Sequence, residues 1–243
     1  PAAARRVESL ITYGKNHPYG EYISEESVNN VQLADVKNYY AKNFNPENAY
    51  LIIIGDVDFA TVKKQVTKLF KNWKGKASEA IPFPAAKNAE ALEINFVDMP
   101  NAVQSEVSVD FTTEVKKTDA DYFPMLLANA ILGGGGQARL FLNLREDKGY
   151  TYGSYSSFRT DKNTRSRIRA FASVRNAVTD SSVVELVKEI KKIQELPVSQ
   201  EELDQAKAKY VGDFVLALER PSTIARYALS ILTEGLPADF YTT

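Results

Sequence analysis

The chain has 243 residues, of which 44% are hydrophobic and 25% charged, a balance typical of a globular protein with a sizeable core. That length suits one large domain or two smaller ones. A formal net charge of −1 and a pI of about 6.1 exclude the global basic field that recruits nucleic acid. The absence of cysteine excludes disulfides and thiolate metal sites. The longest aliphatic run, Leu51–Ile54, is far shorter than the roughly 20 apolar residues needed to span a bilayer.

The first part of the chain predicts three helices and a single strand. Apolar spacing indicates helices over Ala2–Tyr13, Gln32–Asn43 and Phe59–Trp73, and Ala49–Ile54 predicts a short buried strand. One strand cannot form a sheet, so we interpret residues 1–73 as the second half of a preceding domain. Residue 1 is proline rather than methionine, and the sequence opens directly on the predicted helix Ala2–Tyr13. We therefore expect an excised fragment, from which targeting signals would be missing.

Residues 74–90 are rich in proline and alanine and poor in large apolar residues, which predicts a linker. The segment after it, 91–243, forms the second predicted domain. Its patterns follow the order ββααββααα, with strands 92–97, 105–111, 150–159 and 168–174 and helices 119–132, 137–147, 179–196, 199–219 and 221–234. The penultimate helix begins with a capping box, Ser199-Gln-Glu-Glu202. This order predicts an α+β fold, a two-layer antiparallel sheet with helices packed on one face.

The most informative segment is 132–156. It joins a glycine turn, an amphipathic helix that carries Arg139 and Arg145, a short turn at Gly149, and a tyrosine-rich strand. This segment resembles the hallmark of the second domain in zinc peptidases of the pitrilysin/insulinase type, the family of insulin-degrading enzyme and the mitochondrial processing peptidase. The phrases at 17–20, 39–49 and 53–56 look like the closing half of that family's first domain. The resemblance thus implies the same division of the chain.

The family holds its zinc with an inverted His-x-x-Glu-His motif and a downstream Glu. Here the single histidine, His17, is followed by Pro-Tyr-Gly-Glu, so the motif is absent. A catalytic zinc takes three protein ligands, and we interpret a lone His before proline as a turn residue. The resemblance therefore implies that this chain holds no metal, that zinc belongs to the full-length parent or to a partner, and that the chain alone is inactive.

Four consecutive glycines, Gly133, Gly134, Gly135 and Gly136, stand between two predicted helices. A phosphate loop would need Lys-Ser/Thr just inside the helix, and Gln137-Ala138 stands there instead. One alternative is a helix C-cap that uses the positive φ open to glycine. The resemblance adds a second role, since processing-peptidase relatives contact peptide substrate through a glycine-rich loop at this point. Four glycines exceed what one cap requires.

Arg145 and Tyr152 are the predicted auxiliary catalytic pair. In the family, an Arg and a Tyr at this spacing reach from the second domain into the zinc site of the first. Both are donors that can grip a peptide carbonyl and stabilise a developing oxyanion. The alternative is that Arg145 caps carbonyls or pairs with Glu146 or Asp147, and that Tyr152 is a half-buried strand residue. Arg139 is expected to be structural.

Tyrosines 150, 152 and 155 recur on one predicted strand. They fit either aromatic cross-strand packing or a strand edge that presents hydrogen-bonding groups to an extended peptide. The sequence alone leaves both open.

Three functions follow from these patterns. The first is the substrate-binding, non-catalytic portion of a zinc metallopeptidase, which completes a closed chamber. The second is a catalytically silent peptide-binding or assembly subunit that works with a separate active peptidase. The third is a plain α+β ligand-binding domain whose glycine loop is only a turn. Expected partners are a peptide and a zinc-bearing domain or subunit of the same family, with neither nucleic acid nor a membrane span. Periplasm and cytoplasm are both compatible with the sequence.

Overall fold

The computed structural model describes residues 2–77, 79 and 82–242. Two compact units divide the chain: the first contains residues 1–21 and 83–215, and the second contains residues 22–82 and 216–243. The sequence predicts a different division, into domains 1–73 and 91–243 that follow the repeats of a protein family. Division by compactness does not test it, so it stays a prediction. Part of the predicted linker, residues 78, 80 and 81, lies outside the described residues.

Helices dominate the described chain. They are α1 (Ala2–Tyr13), α2 (Glu25–Asn29), α3 (Leu33–Asn43), α4 (Phe59–Phe70), α5 (Tyr122–Gly133), α6 (Arg139–Phe141, continued as a π-helix over Leu142–Asp147), α7 (Thr179–Glu195), α8 (Gln200–Leu218) and α9 (Pro221–Glu234). The strands are β1 (Gln104–Thr113), β2 (Thr151–Arg159) and β3 (Ser166–Arg175). None of the helices in this part of the chain is long and apolar enough to cross a bilayer.

The strands of the first unit form an antiparallel sheet in the order β1-β3-β2. The register places Val107 opposite Ala172 and Val109 opposite Ala170, so these residues share one face. On β2, Ser154 and Ser156 oppose the same two alanines, after an irregularity between Thr151 and Ser154. The predicted α+β class is confirmed.

The core of the first unit lies on that face of the sheet. Strand residues there pack against α5, α6 and α7 in one cluster that comprises Val107, Leu132, Leu140, Leu144, Ala170, Ala172, Val174, Leu186 and Ile190. Leu140, Leu144 and Leu186 are fully buried. Small residues on β2 and β3 let the helices approach closely, and the larger leucines of the helices fill the space. The sheet and α6 therefore share one buried core.

The opposite face of the sheet carries charge. Glu8 of α1 pairs with Arg169 at 2.6 Å and with Arg167 at 3.4 Å, and Arg167 also pairs with Asp110. Burial raises the pKa of Asp110 above its usual range, although Arg167 opposes this shift. Partly buried ion pairs of this kind fix the position of α1 on the sheet more than they add stability.

The second unit is poor in buried apolar residues. Many large side chains of α3, α4 and the segment between them are exposed, among them Leu33, Val36, Tyr39, Tyr40, Phe59 and Leu69. Asn45, in contrast, is 3% exposed, and its side chain accepts a hydrogen bond from the Glu47 N–H. Exposed apolar surface of this extent is typical of a face that packs against other protein.

Two predicted strands are wrong. Residues 49–54 form no strand, and Leu51 and Ile54 are 58% and 49% exposed rather than buried. Residues 92–97 also form none, with Leu92 and Phe96 72% and 80% exposed. Alternating apolar residues indicate only that one face of a strand could be buried. A strand also needs a neighbouring strand that pairs with its backbone N–H and C=O groups. No described element offers that partner to either segment.

Candidate functional site

The turn at Gly149 joins α6 to β2, the two elements that carry Arg145 and Tyr152. Gly149 has a φ of 62°, a left-handed conformation that favours glycine. Its N–H donates to the carbonyl of Arg145 at 3.0 Å, and the Tyr150 N–H donates to the carbonyl of Leu144 at 2.8 Å. These hydrogen bonds end the helix, and β2 begins immediately after them at Thr151. The predicted short connection is therefore present, and Gly149 is the reason for it.

Besides the apolar packing of Leu144 in the core, Asn143 joins the π-helix of α6 to α7 by hydrogen bonds. The amide nitrogen of Asn143 donates to Glu185 and to Glu189, each at 2.8 Å. The hydrogen bond from the Lys148 N–H to the Asn143 carbonyl, at 3.0 Å, has the five-residue span of a π-helix. This geometry offsets the side chains after Asn143 from ordinary helical positions. Arg145 lies in the offset segment.

Arg145 and Tyr152 both point away from the core. The side chain of Arg145 is 46% exposed, with Nε 3.4 Å from Glu146 Oε1, a loose pair. Tyr152 is 88% exposed, so it is not the half-buried residue that the structural alternative required. Among the described residues its hydroxyl has no hydrogen-bond partner. Two polar groups on consecutive elements are thus left available, although neither lines a described cavity.

Phe141, which the sequence patterns did not single out, lies between Arg145 and the glycine loop. Its ring lies 4.7 Å from the Arg145 guanidinium carbon and 5.9 Å from the ring of Tyr155 on β2. A Cβ atom on Gly136 would lie 3.8 Å from the same ring. The signal that could have found it is the four-residue spacing of Phe141 and Arg145, which makes them neighbours on a helix.

The four glycines divide into two pairs. A Cβ on Gly133 would collide with the amide nitrogen of Ser156, and one on Gly134 would lie 2.6 Å from the Ala130 Cα. Gly135 and Gly136 have ordinary room. The expected positive φ is wrong, because the positive-φ glycines of the described chain lie elsewhere. The first pair is needed for close packing, and the second pair is needed for neither packing nor φ.

Strand β2 forms one edge of the described sheet, since it pairs with β3 alone. Tyr155 is 38% exposed and packs against its register partner Phe171, with ring centroids 6.2 Å apart. A Cβ on Gly153 would meet that tyrosine ring at 2.7 Å. Aromatic packing and an available edge thus coexist on β2.

Arg139 is structural, as expected. Its Nε and Nη2 donate to the two carboxylate oxygens of Glu202 at 2.7 and 2.8 Å. This fork, helped by Ser199, lowers the pKa of Glu202 from the usual 4.5 to about 2. Ser199 and Glu202 also exchange the hydrogen bonds of the predicted capping box, at 3.2 and 3.3 Å.

His17 lies in a turn, as predicted: its N–H donates to the Gly14 carbonyl at 3.2 Å, and its carbonyl accepts from the Gly20 N–H at 2.8 Å. It is fully buried and stacks with Tyr13 and Phe83, at centroid distances of 4.8 and 5.4 Å. Nδ1 accepts the Tyr19 N–H at 3.0 Å, so Nε2 carries the proton that bonds Thr164 at 3.2 Å. With both nitrogens occupied, this ring does not fit a zinc ligand. In the described part of the chain no group of three or more His, Cys, Asp or Glu side chains is arranged to hold a metal.

Comparison with known protein families shows the family to which this chain belongs. A family model described as the peptidase M16 inactive domain matches residues 30–210, most of the chain. This chain belongs to the peptidase M16 family. The resemblance to pitrilysin/insulinase-type zinc peptidases is thereby confirmed, and the matched domain is the inactive one.

Relatives of this M16 chain carry two kinds of description. An uncharacterized zinc protease of Rickettsia bellii is 29% identical over 211 residues, and a non-peptidase homolog, YmxG, of Helicobacter pylori is 27% identical over 224. These alignments cover 85% and 89% of this chain but only 49% of each relative. The chain thus spans about half the length of these curated relatives.

Solved structures agree on the fold. The peptidase M16 inactive domain from Pseudomonas fluorescens superposes with a TM-score of 0.86 at 23% identity, over 98% of this chain and 56% of that one. A protease from Helicobacter pylori superposes with a TM-score of 0.77 at 22% identity, over 99% of this chain and 63% of that one. At such identities the likeness concerns the fold.

Proposed function

We propose that this M16 domain is the substrate-binding, non-catalytic part of a zinc metallopeptidase that degrades or processes peptides. The observation that carries the proposal is the availability of Arg145 and Tyr152. Both lie at one short turn, both expose polar ends, and neither is consumed by the core. A structural arginine looks different, as the fork between Arg139 and Glu202 illustrates.

The chemistry assigned to this pair is recognition of a peptide carbonyl. The guanidinium and the phenol both donate hydrogen bonds, and donors aimed at a carbonyl oxygen favour the charge that develops there as water attacks. The zinc itself would be held by residues outside this sequence. The exposed apolar side chains of the second unit support a zinc-bearing domain or subunit as the partner that completes a closed chamber.

Peptide binding is assigned to the glycine loop and the β2 edge. Gly135 and Gly136 leave backbone groups uncovered by side chains, and an edge strand can add an extended peptide through main-chain hydrogen bonds. Gly133 packs against Ser156 and Tyr155 of β2, which supports a continuous binding surface from loop to strand. Such binding tolerates many sequences, as a peptide-degrading enzyme requires.

The decisive experiment uses the parent protein or the complex with its zinc-bearing partner. We expect Arg145→Ala and Tyr152→Phe each to lower turnover by roughly 10²–10³, the usual effect of removing one oxyanion donor. Glu146→Gln, which removes the loose partner of Arg145, should keep turnover and serves as the control. Melting temperature on the same variants separates lost chemistry from lost folding. Unchanged turnover per folded molecule in both variants would exclude the pair.

A silent peptide-binding or assembly subunit is the second candidate. It is favoured by the relative described as a non-peptidase homolog and by the occupied nitrogens of His17. In that case Arg145→Ala weakens peptide binding or assembly, while the turnover of any active partner changes only through assembly. Titration of a labelled peptide and of the partner, measured separately, distinguishes the two candidates.

A further inference from the structure

An open cleft of about 560 Å³ lies between α6, the end of α7 and the start of α8. Its lining comprises Arg139, Leu142, Asn143, Asp147, Glu189, Lys192, Leu196, Pro197 and Glu202. Binding sites for small ligands typically enclose roughly 300–1,000 Å³. Neither Arg145, Tyr152 nor the four glycines contribute to the lining, so the cleft is independent of the site proposed above.

Glu189 provides an acceptor in this cleft. The residue is only 4% exposed, and its Oε1 accepts from both Asn143 at 2.8 Å and Lys192 at 2.7 Å. No residue that the structure describes donates a hydrogen bond to the other oxygen, Oε2. Oε2 is not among the fully buried unpartnered atoms of the described chain, so it reaches the solvent of the cleft, where a carboxylate oxygen attracts a cationic donor.

Asn143 provides a second acceptor. Its amide nitrogen spends both hydrogens on Glu185 and Glu189, which fixes the orientation of the amide. The opposite orientation would point the carbonyl oxygen at two carboxylates. That oxygen, Oδ1, is buried and unpartnered among the described residues. It is therefore available for a donor that enters beside Glu189.

The donors already in the cleft are of unequal mobility. Arg139 is held by both oxygens of Glu202, whereas Lys192 reaches Glu189 from a side chain that is 43% exposed. A lysine on a flexible, exposed stem is the group that an incoming cation can displace. The rim supplies apolar surface from Leu142 and Leu196, which are 42% and 60% exposed, and from Pro197.

We propose that this cleft binds the basic side chain of a peptide, an arginine or a lysine. The alkyl stem packs on Leu142, Leu196 and Pro197. The charged head donates to the Glu189 carboxylate, where it displaces Lys192 from Oε1, and to Asn143 Oδ1. An arginine suits the two acceptors better than a lysine, because its planar guanidinium presents parallel donors. Free polyamines share the cationic chemistry but lack the peptide backbone.

The test is a titration of the whole chain with acetyl-Ala-Ala-Arg-Ala-Ala-amide, followed through the Asn143 side-chain amide signal in NMR spectra. Matched peptides carry lysine or citrulline, the latter a neutral isostere of arginine, and spermidine is the polyamine arm. We expect saturable shifts with arginine, weaker binding with lysine, and no binding with citrulline. Binding of spermidine as tight as the arginine peptide, or equal binding of citrulline, overturns the peptide side-chain assignment.

Two variants with opposite effects protect the test against misfolding. Glu189→Gln should weaken binding of the arginine peptide by about tenfold or more, as expected for loss of a charged hydrogen bond. Lys192→Met should tighten it several-fold, because the internal competitor is gone, and misfolding cannot produce that gain. Asp180→Asn removes the same charge at the far end of α7 and should change nothing. Unchanged affinity in both Glu189→Gln and Lys192→Met overturns the proposal.

Discussion

The guanidinium carbon of Arg145 lies 4.7 Å from the centroid of the Phe141 ring, one helical turn earlier in α6. A cation over an aromatic face is attracted to it even at an exposed site, by about 0.5–1 kcal/mol. The contact restricts a side chain that otherwise has only a loose pair with Glu146 at 3.4 Å. Phe141 therefore holds Arg145 in place without consuming its hydrogen-bond donors.

Phe141→Ala should impair both stability and peptide handling. Phe141 is 8% exposed, so removal of its ring should lower the free energy of unfolding by about 3–5 kcal/mol, the usual cost for a buried phenylalanine. Urea denaturation measures this loss. Phe59→Ala, at a residue that is 77% exposed, is the matched control and should cost little. Phe141→Leu retains most of the volume but not the ring. Under the function proposed above, it should lower peptide turnover in the parent protein or complex while costing little stability. If turnover per folded molecule is unchanged in Phe141→Leu, the ring serves only to fill the core.

Gly133 and Gly136 should respond oppositely to alanine. A Cβ on Gly133 would lie 2.7 Å from Ser156 Oγ and collide with the neighbouring amide, so Gly133→Ala should lose about 1–3 kcal/mol through overpacking. Gly136 has ordinary room and no positive φ, so Gly136→Ala should be neutral or slightly stabilising.

The peptide affinity of Gly136→Ala tests the proposed recognition role separately. A methyl group on the loop should weaken peptide binding while the melting temperature holds or rises. If affinity is also unchanged, Gly136 only turns the chain. Loss of stability in Gly136→Ala as large as in Gly133→Ala would contradict the division of the loop into two pairs.

The strongly periodic helices were predictable from the sequence. The helix predicted over 179–196 is observed as Thr179–Glu195, and the capping box at Ser199 begins α8 as expected. Apolar periodicity and caps are local signals, and a helix satisfies its own backbone. The hairpin of β2 and β3 was also predictable, because its two strands pair with each other.

Alternation alone did not distinguish the segments that form strands from those that do not. Residues 92–97 alternate as well as β1 does, but β1 has the ladder of β3 and the other segment has none. The outer side of β1 is instead contacted at Thr112 by the side chain of Asn88, through bonds of 2.8 Å. An alternating apolar pattern indicates a buried face, but whether the segment pairs with another strand depends on the rest of the fold.

Much of the candidate site also escaped prediction for physical reasons. The π-helix depends on the bonds from Asn143 to Glu185 and Glu189, which join residues more than 40 positions apart. The burial of His17 depends on Thr164, 147 residues away. Arg145 and Tyr152 could be named from their motif, but their exposure could not.

His17→Ala should destabilise the protein without affecting any metal. The side chain is fully buried, makes two hydrogen bonds and stacks between aromatic rings, so its loss should cost roughly 2–4 kcal/mol. Lys15→Ala, at an exposed position of the same loop, is the control. Metal analysis after dialysis should find far less than one zinc per chain in the unmodified protein. One tightly held zinc, lost in His17→Ala, would refute the structural assignment.

The pair formed by Arg139 and Glu202 should make stability depend on acid. The pKa of Glu202 falls from the usual 4.5 in the unfolded chain to about 2 in the folded protein, chiefly through the hydrogen bonds from Arg139. A depressed carboxyl pKa means that the folded state binds the proton more weakly than the unfolded state. The contribution is therefore complete above pH 4.5 and is lost as the pH falls toward about 2.

Glu202→Gln should lower the melting temperature at pH 7, because the fork to Arg139 loses its charge and the capping box loses its carboxylate. The difference from the unmodified protein should shrink steadily between pH 4.5 and about 2, the interval set by the two pKa values. Melting curves at four or five pH values within and above that interval measure it. Glu201→Gln, at the exposed neighbouring position, should show no such convergence. A difference that stays constant down to pH 2 would mean that Glu202 acts through shape alone, and that its ion pair with Arg139 adds nothing to the fold.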